Sequence, residues 1–218
     1  MTLEQQIERE LAFFSDEEHS ASFELLLGVG RVMLSAPHAV LQTRHGAVKC
    51  AERFTGMLCR LVHRETGCPV IYKTRHLLDD ANHDEHSDYR DALCQYIRQS
   101  GVKLLLDLHQ LAPERPMALC ICTCLGEHLL GQKALVETIR AAFLSRGLGP
   151  VTVDDPFTAR SAHTVSRTVA TRCGVAAVQL ELNTALLMKE SDNYRFADVL
   201  YALCELTDDA RRDKGERA

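Results

Sequence analysis

Short apolar runs alternate with amphipathic segments along most of the chain, and this alternation constrains the fold more than any other feature. Strand-like runs cover residues 24–36, 69–74, 102–110, 117–124, 149–155 and 174–183. Helical patterns lie between them over 47–65, 88–101, 134–147 and 161–173, and a closing helix is predicted over 194–212. Such alternation predicts one α/β domain over residues 1–218, with a mostly parallel mixed sheet and helices on both faces.

Composition narrows the classes of function. The 218 residues are 46% hydrophobic and 25% charged, which suits a globular domain with a substantial core. The net charge of −5, without a block of lysine or arginine, argues against a nucleic-acid partner. No apolar run approaches the roughly 18 residues of a membrane span, and the first residues, "MTLEQQIERE", lack the basic and apolar regions of a signal peptide. We therefore expect a cytoplasmic protein with no membrane partner, and leave its oligomeric state open.

The nine cysteines are expected to be reduced thiols, because several lie in apolar helical or strand patterns as small core residues do. Cys120, Cys122 and Cys124 would share one face of a strand, which is also compatible with a soft-metal site. The paired C-x-x-C spacing of zinc sites is absent from this segment. We therefore predict small core residues here.

Polar residues follow or interrupt three of the predicted strands near their carboxyl ends. "VMLSAPH" finishes on His38, and "LLLDLH" finishes on His109. "AAVQLELN" places Gln179, Glu181 and Asn183 on one face of its strand. Ligands of open α/β sheets bind outside the carboxyl ends of the strands, so these residues predict a site there.

Two histidines from separate strands make up part of a metal site. Catalytic zinc needs about three protein ligands and an open position for water. Glu52, at the start of the helix after His38, is the predicted third ligand. Asp107 is an alternative ligand, or a carboxylate that orients a histidine from behind.

The segments "SAPHA", "DLHQ" and "GVAAVQLELNTALLMKE" resemble, in the same order, motifs of the N-formylglutamate amidohydrolase family. That family's pattern runs S-x-P-H-S-G, then G-H or D-x-H, then A-x-Q-L-E-[IL] followed by a Y-M-x-E-like stretch. The resemblance covers about residues 30–190 and implies the zinc-carboxypeptidase-like fold, which is shared more distantly with the aspartoacylases. It therefore implies a zinc-dependent hydrolase whose substrate is an N-formyl or N-acyl amino acid.

The resemblance also implies roles for single residues. His38, Glu52 and His109 match the zinc ligands, and Glu181 matches the general base. The segment "DDANHDE" resembles the family's D-x-N-R, so Asn82 would help to hold the substrate carboxylate. Three departures leave the substrate in question: His83 replaces the arginine, Gln110 replaces a glycine, and "PHA" lacks the usual Ser-Gly.

An amide hydrolase of this kind needs a cation near the oxyanion or the substrate carboxylate besides its metal. Arg160, shortly before the strand that carries Glu181, is the predicted residue, and it is given both catalytic and substrate-binding roles. His163 and Thr164 in the same segment, with Gln179 and Asn183 on the strand, are predicted to line the pocket. A threonine at this position is equally typical of a helix cap.

Two other classes of function stay open. A cysteine-dependent amidohydrolase would use a thiol such as Cys50 or Cys173 with a nearby histidine, and would need no metal. A non-catalytic module of the same fold would bind zinc without turning over an acylated amino acid. Neither alternative accounts for polar residues at three strand ends.

Overall fold

The computed structural model describes residues 1–16 and 18–208. Within these ranges the α-helices are α1 (Leu3–Ser15), α2 (Arg53–Thr66), α3 (Asp88–Gln99), α4 (Ala134–Leu144), α5 (Val165–Cys173) and α6 (Phe196–Thr207). The strands are β1 (Phe23–Leu26), β2 (Val32–Ala36), β3 (Gln42–Arg44), β4 (Ala47–Lys49), β5 (Val70–Lys73), β6 (Leu104–Leu111), β7 (Leu119–Cys122), β8 (Val151–Val153) and β9 (Ala176–Asn183). No helix of the described ranges is long and apolar enough to cross a membrane.

Seven strands form one mixed sheet in the order β1-β5-β2-β6-β9-β7-β8, and β3 pairs with β4 in a separate hairpin. The central strands β5, β2, β6 and β9 are parallel, whereas β1 and β7 run antiparallel to their inner neighbours. The predicted α/β class with a mostly parallel sheet is confirmed. The parallel arrangement brings the carboxyl ends of β2, β6 and β9 to the same edge of the sheet.

The two faces of the sheet are covered by different helices. Leu104, Leu106 and Leu108 of β6 belong to the larger apolar cluster, which also contains residues of α2, α4 and α6. Leu105 points to the other face and packs in a smaller cluster with residues of α3 and α5. Because side chains alternate along a strand, Asp107 and His109 lie on the same face as Leu105. The site therefore continues the smaller apolar face beyond the residues that pack against α3 and α5.

Several predicted elements differ in extent from those observed. The run over 24–36, predicted as one or two strands, is two strands, β1 and β2. The helix predicted over 161–173 begins only at Val165, because Thr164 caps it by accepting the Arg167 backbone N–H at 3.2 Å. The closing helix is described as far as Thr207, and residues 209–212 of the prediction lie outside the described ranges.

The prediction of a helix over 47–65 is wrong at its start. Residues 42–49 form the β3–β4 hairpin, and α2 begins at Arg53. His45 and Gly46 have φ angles of 52° and 77°, the left-handed conformation that tight two-residue hairpin turns require. The apolar spacing correctly predicts a helix, but only from Arg53 onward. The residues before it form a hairpin instead, because His45 and Gly46 make a tight turn.

The N-terminal helix α1 packs against α2 at a position without a side chain. A Cβ atom on Gly56 would lie 2.4 Å from the Phe14 ring and 2.7 Å from the Ala39 Cβ atom. No side chain fits in that space, so the glycine lets Phe14 enter the core. Arg60 and Arg64, further along α2, form ion pairs with Glu10, a fully buried carboxylate of α1.

Candidate metal centre and its cavity

The side chains of His38, Glu52 and His109 converge at the carboxyl ends of β2 and β6. His38 Nδ1 lies 3.1 Å from Glu52 Oε1, and His109 Nδ1 lies 3.3 Å from Glu52 Oε2. The two Nδ1 atoms are 3.2 Å apart. One ligand atom from each of these three side chains lies within 4.8 Å of the other two, which is close enough to hold one metal ion. Within residues 1–16 and 18–208, this is the group of histidine, cysteine and acidic side chains that meets this condition.

Local backbone contacts place these three residues. His38 lies two residues beyond β2, and His109 lies near the end of the adjacent parallel strand β6. Glu52 immediately precedes α2, but its side chain does not cap that helix. Its backbone N–H donates to the His38 carbonyl oxygen at 2.8 Å, and its Oε2 accepts the Gln110 backbone N–H at 3.0 Å. The start of α2 is thereby tied to both strands.

A carboxylate lies behind each imidazole ring. The Nε2–H of His38 donates to Asp80 Oδ1 at 2.9 Å, and the Nε2–H of His109 donates to Asp107 Oδ2 at 3.2 Å. Both carboxylates have fully buried side chains. These hydrogen bonds leave the Nδ1 atoms as the ones that face Glu52, so Asp107 orients His109 from behind.

The charges of this cluster shift the pKa of each member. Burial raises the pKa of Glu52, but His38 and His109 outweigh it and bring the pKa down to about 2. Burial lowers the pKa of both histidines, yet the carboxylates dominate: Glu52 and Asp80 raise the pKa of His38, and Asp107 and Glu52 raise that of His109 well above its usual value. The carboxylates thus favour positive charge between these side chains.

The donor set fits a zinc ion. Two imidazole nitrogens and one carboxylate are typical ligands of catalytic zinc, which uses three protein ligands and keeps one position open. Each imidazole has a carboxylate on its other nitrogen, the arrangement that orients histidine ligands and makes them more basic. All three side chains line one open cavity of about 470 Å³.

Glu181 lies beside this cluster on β9. It stands opposite His109 in the parallel register of β6 and β9, and Gln179 stands opposite Asp107. Gln179 Nε2 donates to Glu181 Oε1 at 2.7 Å. Burial raises the pKa of Glu181 to about 7. This carboxyl group can therefore accept and release a proton near neutral pH.

Asn82 joins three parts of the cavity wall. Its Oδ1 accepts the backbone N–H of Val165 at 2.7 Å, and its Nδ2 donates to Gln179 Oε1 at 3.4 Å. Both ends of the carboxamide thus bind the protein itself. Asn82 lines the cavity, and these contacts show that it also positions Gln179 and the start of α5.

Comparison with solved structures shows that the chain has a known fold. A bacteriophage poly-gamma-glutamate hydrolase matches with a TM-score of 0.58 and 16% identity, over 91% of this chain and 93% of that one. A gene product of Agrobacterium tumefaciens matches with a TM-score of 0.60 and 15% identity, over 86% and 93%. The succinylglutamate desuccinylase of Chromobacterium violaceum matches with a TM-score of 0.54 and 16% identity, over 87% and 68%. This chain shares their fold.

Sequence comparison adds no family to that result. No protein-family model matches the chain, and no curated protein matches it significantly. At 15–16% identity the structural matches establish the fold alone. The narrower resemblance to the N-formylglutamate amidohydrolases remains a prediction from the motifs.

Most of the predicted site residues meet in the cavity, and two do not. Arg160, Thr164 and Gln179 line it together with the metal-ligand candidates and Glu181. The His163 side chain is not part of the lining, and its backbone carbonyl accepts from Arg90 Nη1 at 2.8 Å. Asn183 faces a different pocket, because its Nδ2 donates to the Arg115 and Met117 carbonyl oxygens, each at 2.9 Å. Neither His163 nor Asn183 belongs to the cavity lining.

Sequence reasoning missed two residues that matter to the geometry. Asp80 stands in the "DDANHDE" segment, but only Asn82 was singled out there. Arg44 donates from Nη2 and Nε to Asp80 Oδ2, at 2.7 and 2.9 Å, and also lines the cavity. The resemblance to D-x-N-R could have pointed to Asp80, whereas nothing in the sequence marks Arg44.

The cysteine triplet does not form a three-thiol cluster. Cys120 and Cys122 have Sγ atoms 3.7 Å apart and pack with Met117 and Ala159 in a small apolar cluster. Cys124 has a φ of 55° and directs its thiol to Glu127, because β7 ends at Cys122. The prediction that these thiols are small core residues agrees with their burial.

Proposed function

We propose that this protein is a zinc-dependent amidohydrolase that cleaves an N-acyl amino acid, with N-formylglutamate as the first substrate to test. The observation that carries the proposal is the convergence of His38, Glu52 and His109 beside the buried Glu181 in one open cavity. A volume of about 470 Å³ is suited to a small molecule.

The residues divide the chemistry between them. His38, Glu52 and His109 would hold the zinc ion, which would supply Lewis acidity toward a carbonyl oxygen and toward water. Glu181 would accept the proton of the attacking water and pass it to the leaving nitrogen. Gln179 would hold Glu181 through their 2.7 Å hydrogen bond.

Arg160 supplies the cation that the substrate carboxylate needs. It lines the cavity, it is exposed, and its side chain forms no ion pair within residues 1–16 and 18–208. A guanidinium group can bind a carboxylate through two parallel hydrogen bonds. Two fold neighbours, the poly-gamma-glutamate hydrolase and the succinylglutamate desuccinylase, are named for glutamate-containing compounds, which supports a substrate with this group.

A cysteine-dependent reaction is the second candidate. Cys50 is exposed and lines the same cavity, whereas Cys173 lies beside Cys94 outside it. The hydrogen bonds described for His38 and His109 go to each other and to carboxylates, so neither ring is set to activate the Cys50 thiol.

Metal analysis combined with a substrate screen tests the proposal. The purified protein should bind about one zinc ion, hydrolyse N-formyl or N-acyl amino acids, and lose both properties in His109→Ala. Cys50→Ala should keep its activity. Activity that survives a strong chelator but disappears in Cys50→Ala would establish the thiol mechanism instead, and zinc binding without turnover would indicate a non-catalytic module.

A further inference from the structure

The β3–β4 hairpin contributes two cationic side chains and one polar side chain to the cavity lining. Gln42, Arg44 and Lys49 all line the cavity, although the hairpin consists of two strands of only three residues. An isolated two-stranded hairpin is marginally stable in water. Its position must therefore come from contacts with the rest of the protein.

Those contacts are polar and are made by β3. The Thr43 backbone N–H donates to the Asp79 carbonyl oxygen at 3.0 Å, and Thr43 Oγ1 lies 2.9 Å from His76 Nε2. Arg44 is fixed by its two hydrogen bonds to Asp80 Oδ2. The three residues of β4, in contrast, are all exposed. The hairpin is thus anchored through one strand, while Lys49 at the end of the other reaches the cavity.

Two of the lysine and arginine side chains at the cavity have no acidic partner in the described part of the chain. Of the three that line it, Arg44 is paired with Asp80. Lys49 and Arg160 form no ion pair within residues 1–16 and 18–208. Of the acids in the lining, Glu52 belongs to the proposed metal centre, which leaves Glu181. Two unpaired cations from two separate segments suit a ligand with two negative groups.

Gln42 is a buried polar residue of this wall whose hydrogen-bonding groups are not all paired. It is only 3% exposed, and its Nε2 donates to the Cys50 carbonyl oxygen at 3.1 Å. Its buried Oε1 has no donor among the described residues, although Gln42 lines the cavity. A buried acceptor without a donor costs free energy, so the protein tolerates an unpaired polar group in this wall.

We propose that the hairpin is a second anion-binding subsite, in which Lys49, on the same face of the hairpin as Arg44, binds the side-chain carboxylate of an N-acyl amino dicarboxylic acid. This inference rests on the proposed function for the reaction, in which Arg160 holds the other carboxylate. It adds the residues that would select an acidic side chain over a neutral one of the same shape.

N-formyl-L-glutamate and N-formyl-L-glutamine are the matched probes, because they differ only in the charge of the side-chain group. Their dissociation constants are measured by calorimetry on metal-free protein, where turnover does not interfere, and kcat/KM is measured on zinc-loaded protein. The wild-type protein should prefer the glutamate compound about fivefold, as one partly exposed ion pair allows, and added salt should reduce the preference.

Lys49→Met should bring that preference close to one, and Lys49→Arg should restore it. Lys133→Met, at an exposed lysine next to α4, is the control and should leave it unchanged. Equal binding of both compounds by the wild-type protein, or an undiminished preference in Lys49→Met, would overturn the subsite. A calorimetric preference without hydrolysis would keep the subsite and reject the amidohydrolase, whereas hydrolysis without a preference would do the reverse.

Discussion

The two ends of the central strands differ sharply on the face that α3 and α5 cover. At one end Met33 of β2, Leu105 of β6 and Ala177 of β9 are buried in an apolar cluster with those helices. Two residues further along β6 and β9, the same face carries Asp107 and Gln179, then His109 and Glu181. The same pair of strands therefore carries hydrophobic core residues at one end and candidate catalytic residues at the other.

This contrast shows what makes polar burial tolerable. Asp107 is fully buried within an otherwise leucine-rich strand, yet one of its oxygens has a hydrogen-bond partner in His109. Burying a charge is costly unless it is paired and hydrogen-bonded. The polar end has such partners, whereas the side chains packed around Leu105 at the apolar end are hydrophobic. Substitutions at the apolar end should therefore reduce stability, whereas substitutions at the polar end should affect catalysis or metal binding.

The largest effect is expected when a charge is placed at the apolar end. Leu105→Asp would bury a carboxylate in the cluster with Met33 and Ala177, where nothing compensates it. We expect a loss of about 4 kcal/mol or more in the free energy of unfolding, which is a large part of the roughly 5–15 kcal/mol that stabilises a typical domain. Denaturant unfolding with Leu105→Met as the conservative control measures this, and a Leu105→Asp protein as stable as Leu105→Met would refute the contrast.

A smaller but functionally decisive effect is expected at the polar end. Glu181→Gln keeps the shape of the side chain but cannot take a proton, so the rate should fall by about 10²–10⁴, or about 3–5 kcal/mol in the barrier. Zinc content should remain, because Glu181 is not assigned as a ligand. Glu52→Gln is the matched variant and should lose zinc instead. If the two variants exchanged these phenotypes, the base and the ligand would be assigned the wrong way round.

The weakest of these changes tests the residue between the two ends. Asp107→Asn keeps the volume but removes the charge that supports His109. Changes to such outer carboxylates typically cost about 10–100-fold in metal affinity, so zinc should bind more weakly while the fold is retained. Competition with a chelator of known affinity measures this, and unchanged affinity would make Asp107 a packing residue.

Much of this arrangement could be predicted from the sequence, because both the period of two and the order of strands and helices are local patterns. The convergence of His38 and His109 followed from their places at the ends of apolar runs. The β3–β4 hairpin could not be predicted in this way, since its strands are three residues long and its anchor, the Arg44–Asp80 pair, joins residues 36 positions apart. The sequence could not show that Asn183 lies outside the cavity lining, because the period of two fixes a face of β9 but not where the cavity ends along it.

Gly56 links the N-terminal helix to the chemistry at a distance. The Phe14 ring fills the space above that glycine, and Glu52 stands about one turn earlier, at the start of the same helix α2. A helix that contributes no residue to the cavity therefore packs about one turn away from a proposed ligand of the metal. We therefore expect that removing α1 together with Phe14 would weaken metal binding although no ligand is deleted. A purification tag should precede α1 and not replace it.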